Sequence, residues 1–190
     1  MSNVTTLLDA KSVPEAKAAF VCPSRDRTYS FKDLRTETNR IGYGLSCLGI
    51  GKGDRVCIYL DSSPEYLISY FAIWRIGAVA VPTNSVYRAE ELYHAVSDAG
   101  ARAIITDFRG KDVVIEVQKK ATFLETVICV TEEGIDPGQG VVAWRGFPMA
   151  PSSMRAANCA FDDLCHIHTQ GSKWTQLFVK NRIFTNLIRM

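Results

Sequence analysis

The chain alternates short apolar runs with amphipathic stretches at regular spacing, and that alternation limits the folds open to it more than any other feature. Val56-Cys57-Ile58-Tyr59-Leu60, Ala78-Val79-Ala80-Val81, Ala103-Ile104-Ile105-Thr106 and Thr126-Val127-Ile128-Cys129-Val130 are near-continuous apolar segments of strand length. Such runs mark strands buried on both faces. Between them lie segments of helical period. Strand–helix alternation at this spacing predicts an α/β fold, a parallel sheet flanked by helices.

The punctuation supports the elements. Ser30 followed by Asp33 is a capping-box start, after which Leu34, Thr38, Ile41, Leu45 and Leu48 share one helical face. Gly49, Gly51 and Gly53 then turn the chain. Asp61-Ser62-Ser63 with Pro64 and Glu65 begins a second helix, apolar nearly all round to Ile76 and so expected to be largely buried. A third spans 88–99, with acids in its first turn and Gly100 at its end. A weaker one spans 109–120. Residues 132–158 are loop-rich, and Leu164–Ile167 reads as one more strand. The first 27 residues read as a polar lead-in with one apolar piece, Ala18–Cys22.

Composition excludes some classes of protein. Of 190 residues, 47% are hydrophobic and 22% charged, which rules out disordered and fibrous chains and suffices for a sizeable core. Formal charge is 22 − 20 = +2, too near neutral to point to nucleic acid. Residues 164–190 carry Lys173, Lys180, Arg182 and Arg189 and no acid, so residues 1–163 sum to −2. The N-terminus has neither a basic region nor a long apolar one, so no signal peptide is expected. The most apolar stretch, Tyr66–Trp74, is far shorter than the roughly 20 residues of a bilayer span. Six cysteines form no CxxC pair, and Cys47, Cys57 and Cys129 lie in apolar patterns; buried, reduced thiols in a cytoplasmic protein account for them.

Four stretches, in this order, carry a family resemblance. They are Thr28-Tyr29-Ser30-Phe31-Lys32-Asp33-Leu34; Leu48-Gly49-Ile50-Gly51-Lys52-Gly53-Asp54-Arg55-Val56; Asp61-Ser62-Ser63-Pro64-Glu65 with Gly77-Ala78-Val79-Ala80-Val81-Pro82; and Glu90-Glu91-Leu92 with Ala103-Ile104-Ile105-Thr106. Together they resemble the N-terminal part of the acyl-adenylate-forming superfamily, the AMP-dependent synthetases and acyl-CoA ligases. The resemblance implies the first subdomain of that large domain over residues 28–163. It implies ATP with Mg2+, CoA as co-substrate, and a carboxylic acid substrate activated to an acyl-adenylate and then joined to a thiol.

The same resemblance aligns His168-Thr169-Gln170-Gly171-Ser172-Lys173-Trp174 with the family's phosphate loop, Tyr-Thr-Ser-Gly-Thr-Thr-Gly. Thr169, Gly171, Ser172 and Lys173 are therefore the expected phosphate contacts. Gln170, Lys173 and Trp174 depart from the pattern, and the family's following Pro-Lys-Gly is absent. A loop of this kind points backbone N–H groups at phosphate oxygens. Trp174 at a glycine position adds bulk and removes easy access to positive φ, while Lys173 offers a point charge. Resembling flanks around a departing segment suggest a local frame error or a decayed copy. The adenine-binding segment and the small domain with the catalytic lysine would lie beyond residue 190, so the expectation is a ligase fragment without turnover of its own.

Gly49–Gly53 precedes a strand rather than a helix, so a tight turn explains it better than a phosphate loop. Cys159, Cys165, His166 and His168 match no usual zinc spacing. His94 falls on the polar side of its helix. Residues 174–190 form a basic amphipathic pattern, suited either to docking on the sheet or to peripheral contact with an anionic membrane. A non-catalytic α/β binding or interaction module is the alternative to a ligase fragment, with self-association through an exposed sheet edge.

Overall fold

The computed structural model describes residues 4–9 and 14–157. A β-hairpin comes first, β1 (Ala18–Cys22) antiparallel to β2 (Arg27–Ser30). Then follow α1 (Phe31–Cys47), β3 (Arg55–Tyr59), α2 (Pro64–Arg75), β4 (Val79–Pro82), α3 (Ala89–Ala99), β5 (Ala103–Asp107), α4 (Lys111–Lys120), β6 (Thr126–Val130) and β7 (Val141–Ala143). Strands β3 to β7 form one sheet in the order β4-β3-β5-β6-β7, with every pair parallel. This is the α/β architecture the alternation predicts.

Local chemistry sets the element ends. Ser30 Oγ accepts from Asp33 N at 3.1 Å while Asp33 Oδ2 accepts from Ser30 N at 2.9 Å, a complete capping box at the start of α1. Ser63 Oγ accepts from Tyr66 N, and Pro64 opens α2 where a missing N–H costs nothing. Gly100 ends α3 at φ 58°, a conformation glycine adopts without the strain a side chain would add. The Gly49–Gly53 segment is a turn tied by Asp54 Oδ2 accepting from Gly51 N at 2.9 Å.

The winding direction explains the layers. β3 to β4 steps one way, then β4 to β5 crosses back over β3, and right-handed crossovers therefore put α2 on one face and α3 and α4 on the other. Side chains alternate accordingly. Val56, Ile58, Ala103, Ile105 and Ile128 join α1 and α2 in one apolar cluster; Cys57, Tyr59, Ile104 and Val127 join α3 and α4 in a second. Each large aliphatic side chain so buried contributes roughly 1.5–3 kcal/mol.

Several details differ from the sequence reading. The lead-in holds a 3-10 turn (Val4–Asp9) and β1, and Leu8 packs into the first cluster. Asp9 forms a bidentate pair with Arg75, which is only 2% exposed at the end of α2. β7 lies in the stretch read as loop; at three residues it is too short to show a period. Cys47 is exposed, not buried. Two residues past Leu45, it points about 200° around the helix, away from the core. Cys22, Cys57 and Cys129 are buried. Of the two edge strands, β4 is buried at Val79, Ala80 and Val81, and β7 is half-buried throughout. No helix among the described residues is long and apolar enough to cross a membrane.

Candidate functional site

An open parallel sheet offers a ligand crevice at the carboxyl ends of its strands, where the winding reverses. Here that point lies between β3 and β5, and on the α3–α4 side it is closed. Tyr59, 4% exposed, donates its hydroxyl to the Tyr87 carbonyl at 2.6 Å. Gly110 approaches so closely that a Cβ there would stand 2.6 Å from Thr106 Oγ1 and 2.7 Å from the Tyr59 ring. Burial, with the charges of Asp107, Asp61 and Glu91, raises the Tyr59 pKa, so the phenol stays protonated and keeps its bond.

The open volume lies on the other side. A cleft of about 1120 Å³ runs between the first half of α1, the start of α2, the carboxyl ends of β5 and β6, and the segment Trp144–Met149. Six cationic and six anionic side chains line it, and most of the acids are engaged. Glu65 pairs with Arg25 at 2.6 and 3.0 Å, Glu37 with Arg40 at 2.7 and 3.1 Å, and Glu133 with Arg145 at 3.5 Å. Asp33 caps α1, and its hydrogen bonds from Ser30 hold its carboxyl below the usual range. Asp107 Oδ1 accepts from Gly110 N at 2.9 Å. Arg27 lies over the Tyr29 ring, 4.4 Å from its centroid, and Lys32 and Arg109 line the cleft with no ion-pair partner among the described residues. Arg27, Lys32 and Arg109 are thus balanced by Asp33, Asp107 and Glu132, and the cleft is strongly polar without an excess of either sign.

The described residues contain no group of three or more His, Cys, Asp or Glu arranged to hold a metal ion. Burial pushes the Cys57 thiol up to about 12 and the Cys129 thiol up to about 11, so neither is a nucleophile at neutral pH. His94 is exposed, as its helical position predicts.

The expected phosphate contacts Thr169, Gly171, Ser172 and Lys173 lie outside the described residues, as do Cys159, Cys165, His166 and His168. The preceding segment is described as far as Ala157. Phe147 packs on Gly44, Met154 lies 3.2 Å from where a Cβ of Gly42 would be, and Ala157 N donates to Arg75 O at 2.7 Å. The strap Trp144–Ala157 thus crosses α1 and reaches the end of α2 beside Gly77. Sequence reasoning missed this strap and the cleft wall it supplies. Trp144 and Phe147, within the largely apolar stretch 141–150, were the available signal, but they follow no period.

A sequence model of the family described as AMP-binding enzyme matches residues 9–168. Crotonobetaine/carnitine–CoA ligase of Escherichia coli (strain K12 / DH10B) is 29% identical over 136 residues, 70% of this chain and 26% of the relative. The chain therefore spans about a quarter of the length of the curated relatives it matches. Among solved structures, the anthranilate CoA ligase AuaEII in complex with anthranoyl-AMP superimposes with TM-score 0.78 at 24% identity, covering 90% of this chain and 32% of that one. The acyl-CoA synthetase of Brucella canis gives TM-score 0.74 at 21% identity, covering 86% and 30%. The coronafacic acid ligase of Pectobacterium brasiliense gives 0.67 at 25% identity, covering 75% and 29%.

Proposed function

The chain belongs to the AMP-binding enzyme family, and from that premise we propose that it is the N-terminal part of an AMP-forming acyl-CoA ligase. That enzyme class activates a carboxylic acid with ATP to an acyl-adenylate and passes the acyl group to CoA. The observation that carries the reading is the unbroken family match from residue 9 to 168, which takes in the whole sheet, the strap and the approach to Thr169. On this reading residues 28–163 are the first subdomain's share of the chain. Thr169, Gly171, Ser172 and Lys173 contact the phosphates of ATP, which arrives with its Mg2+. The backbone at Gly171 admits a close approach, and Lys173 supplies charge. The free cysteines agree with a cytoplasmic protein.

We expect no turnover from these 190 residues alone. ATP–pyrophosphate exchange with a panel of carboxylic acids is expected to stay at background on the isolated chain, and exchange above background overturns its incompetence. Titration with a fluorescent ATP analogue tests the phosphate contacts: on the assignment above, Lys173→Ala binds it less well than the wild-type chain. A wild-type chain that does not bind it removes the phosphate-contact assignment.

The non-catalytic module has one observation in its favour: Phe108 and Met149, 51% and 67% exposed, both line the cleft and offer a partner apolar surface. Light scattering separates the two readings. A stable monodisperse species favours the module, and heterogeneous self-association favours a piece that needs the rest of a ligase.

A further inference from the structure

α2 ends on Arg75, whose backbone and side chain serve different parts of the molecule. A helix leaves its last carbonyls without partners inside it. Here Ile73 O accepts from Ala78 N and Trp74 O from Gly77 N, both close in sequence, but Arg75 O accepts from Ala157 N at 2.7 Å. The side chain, 2% exposed, serves the turn Val4–Asp9. Nη1 donates to Asp9 Oδ2 at 2.6 Å and to Thr5 O at 3.3 Å, and Nη2 donates to Asp9 Oδ1 at 3.0 Å. Nε is buried without a partner among the described residues. One donor of the guanidinium is thus unmet already, and its charge relies on the Asp9 carboxylate.

Both attachments meet at one point of packing. A Cβ on Gly42 of α1 would stand 3.1 Å from Ala72 O, 3.2 Å from Met154 Cε and 3.5 Å from Arg75 Cβ. The Arg75 stem and Met154 therefore close over the same spot, and Leu8 and Met154 belong to the same apolar cluster. In so close-packed a place the stem cannot withdraw without disturbing Met154.

We propose that Arg75 couples the N-terminal turn to the end of the strap: the Asp9 carboxylate, by neutralising a buried guanidinium, latches residues 154–157 onto the end of α2. Without that carboxylate the buried charge is uncompensated, and the guanidinium must reach water. Its stem then shifts, Met154 loses its contact, and the bond from Ala157 opens. The coupling is the same whatever ligand the chain takes.

Hydrogen exchange on the full 190-residue chain tests the latch, because the Ala157 N–H reports on it directly. Asp9→Asn is expected to speed exchange at Ala157 about tenfold, whereas Glu125→Gln, which breaks an exposed ion pair with Arg102, leaves it unchanged. The double variant Asp9→Asn with Arg75→Met removes both charges and is expected to bring Ala157 back to within about twofold of the wild type. Ala157→Pro runs the test in reverse. It lacks the donated N–H, keeps the ion pair, and is expected to speed exchange across residues 4–9, since coupling is reciprocal. Faster exchange confined to residues 4–9 in Asp9→Asn overturns the proposal, as does unchanged exchange in both segments or an equal rise in Glu125→Gln. A double variant as fast at Ala157 as Asp9→Asn overturns it too, because the buried charge is then not the cause. If Asp9→Asn does not fold, Ala157→Pro decides, and unchanged exchange across residues 4–9 rejects the latch.

Discussion

At the scale of single residues, two glycines that look alike in the sequence behave oppositely. Gly44 sits in α1, where alanine is usually the better residue, yet a Cβ there would stand 2.8 Å from Phe147 Cβ and closer still to its ring. Gly51 lies in the turn before β3, has no neighbour within 4 Å and does not have a positive φ. Gly44→Ala is therefore expected to cost about 1–3 kcal/mol through displaced packing, against the helix-propensity trend. Gly51→Ala is expected to be neutral or to stabilise by about 0.5 kcal/mol by narrowing the unfolded ensemble. Urea unfolding of the two variants side by side tests both signs.

At the scale of elements, the helix caps show how closely local chemistry and position agree. The Ser30–Asp33 capping box is readable from two letters, and the structure has both of its bonds. Ser30→Ala is expected to cost about 1 kcal/mol in thermal or urea unfolding. The cap also gives α1 a pH dependence of known sign. Asp33 titrates below its ordinary value of 3.8, so the folded state holds fewer protons there than the unfolded one. Its stabilisation is present above that value and is lost as pH falls through the lowered one. β6 was legible to the residue, Thr126–Val130, because a strand buried on both faces leaves an unmistakable apolar run. β1, β2 and β7 were not legible as strands. The β1–β2 hairpin takes its form from the pairing of its two strands, β2 being largely polar, and three-residue β7 takes its form from its pairing with β6. The cleft wall escaped for the same reason: Arg40 reads as one more charged helical residue until Trp144 and Phe147 are brought against it.

At the scale of the whole molecule, the central sheet is sealed on both sides, and its buried thiols report on that seal. Cys57 and Cys129 titrate near 12 and 11 instead of the ordinary 9.0 because burial disfavours the thiolate. A raised acid pKa means that the folded state retains protons the unfolded chain gives up. Stability should therefore hold below about pH 9 and decline from there toward pH 12, with Tyr59 adding in the same direction. Urea midpoints falling between pH 8 and pH 10.5 would bear this out, and a flat profile would mean that these groups are hydrated in the native state. In the same native chain at pH 8, a thiol reagent should modify Cys47 promptly and leave Cys57 untouched.

The pairing of Asp9 with Arg75 also has a consequence in time. The two residues are 66 positions apart, so on the ribosome Asp9 has no Arg75 to pair with until α2 has been made. At about 5–20 residues per second the wait is roughly 3–13 s, long compared with the formation of any helix or hairpin along the way. The contact cannot guide the early choices of the nascent chain. It acts after them, fastening the turn Val4–Asp9 once the layer beneath it exists, and so resists the reverse step, the peeling away of that turn, more than it hastens the forward one.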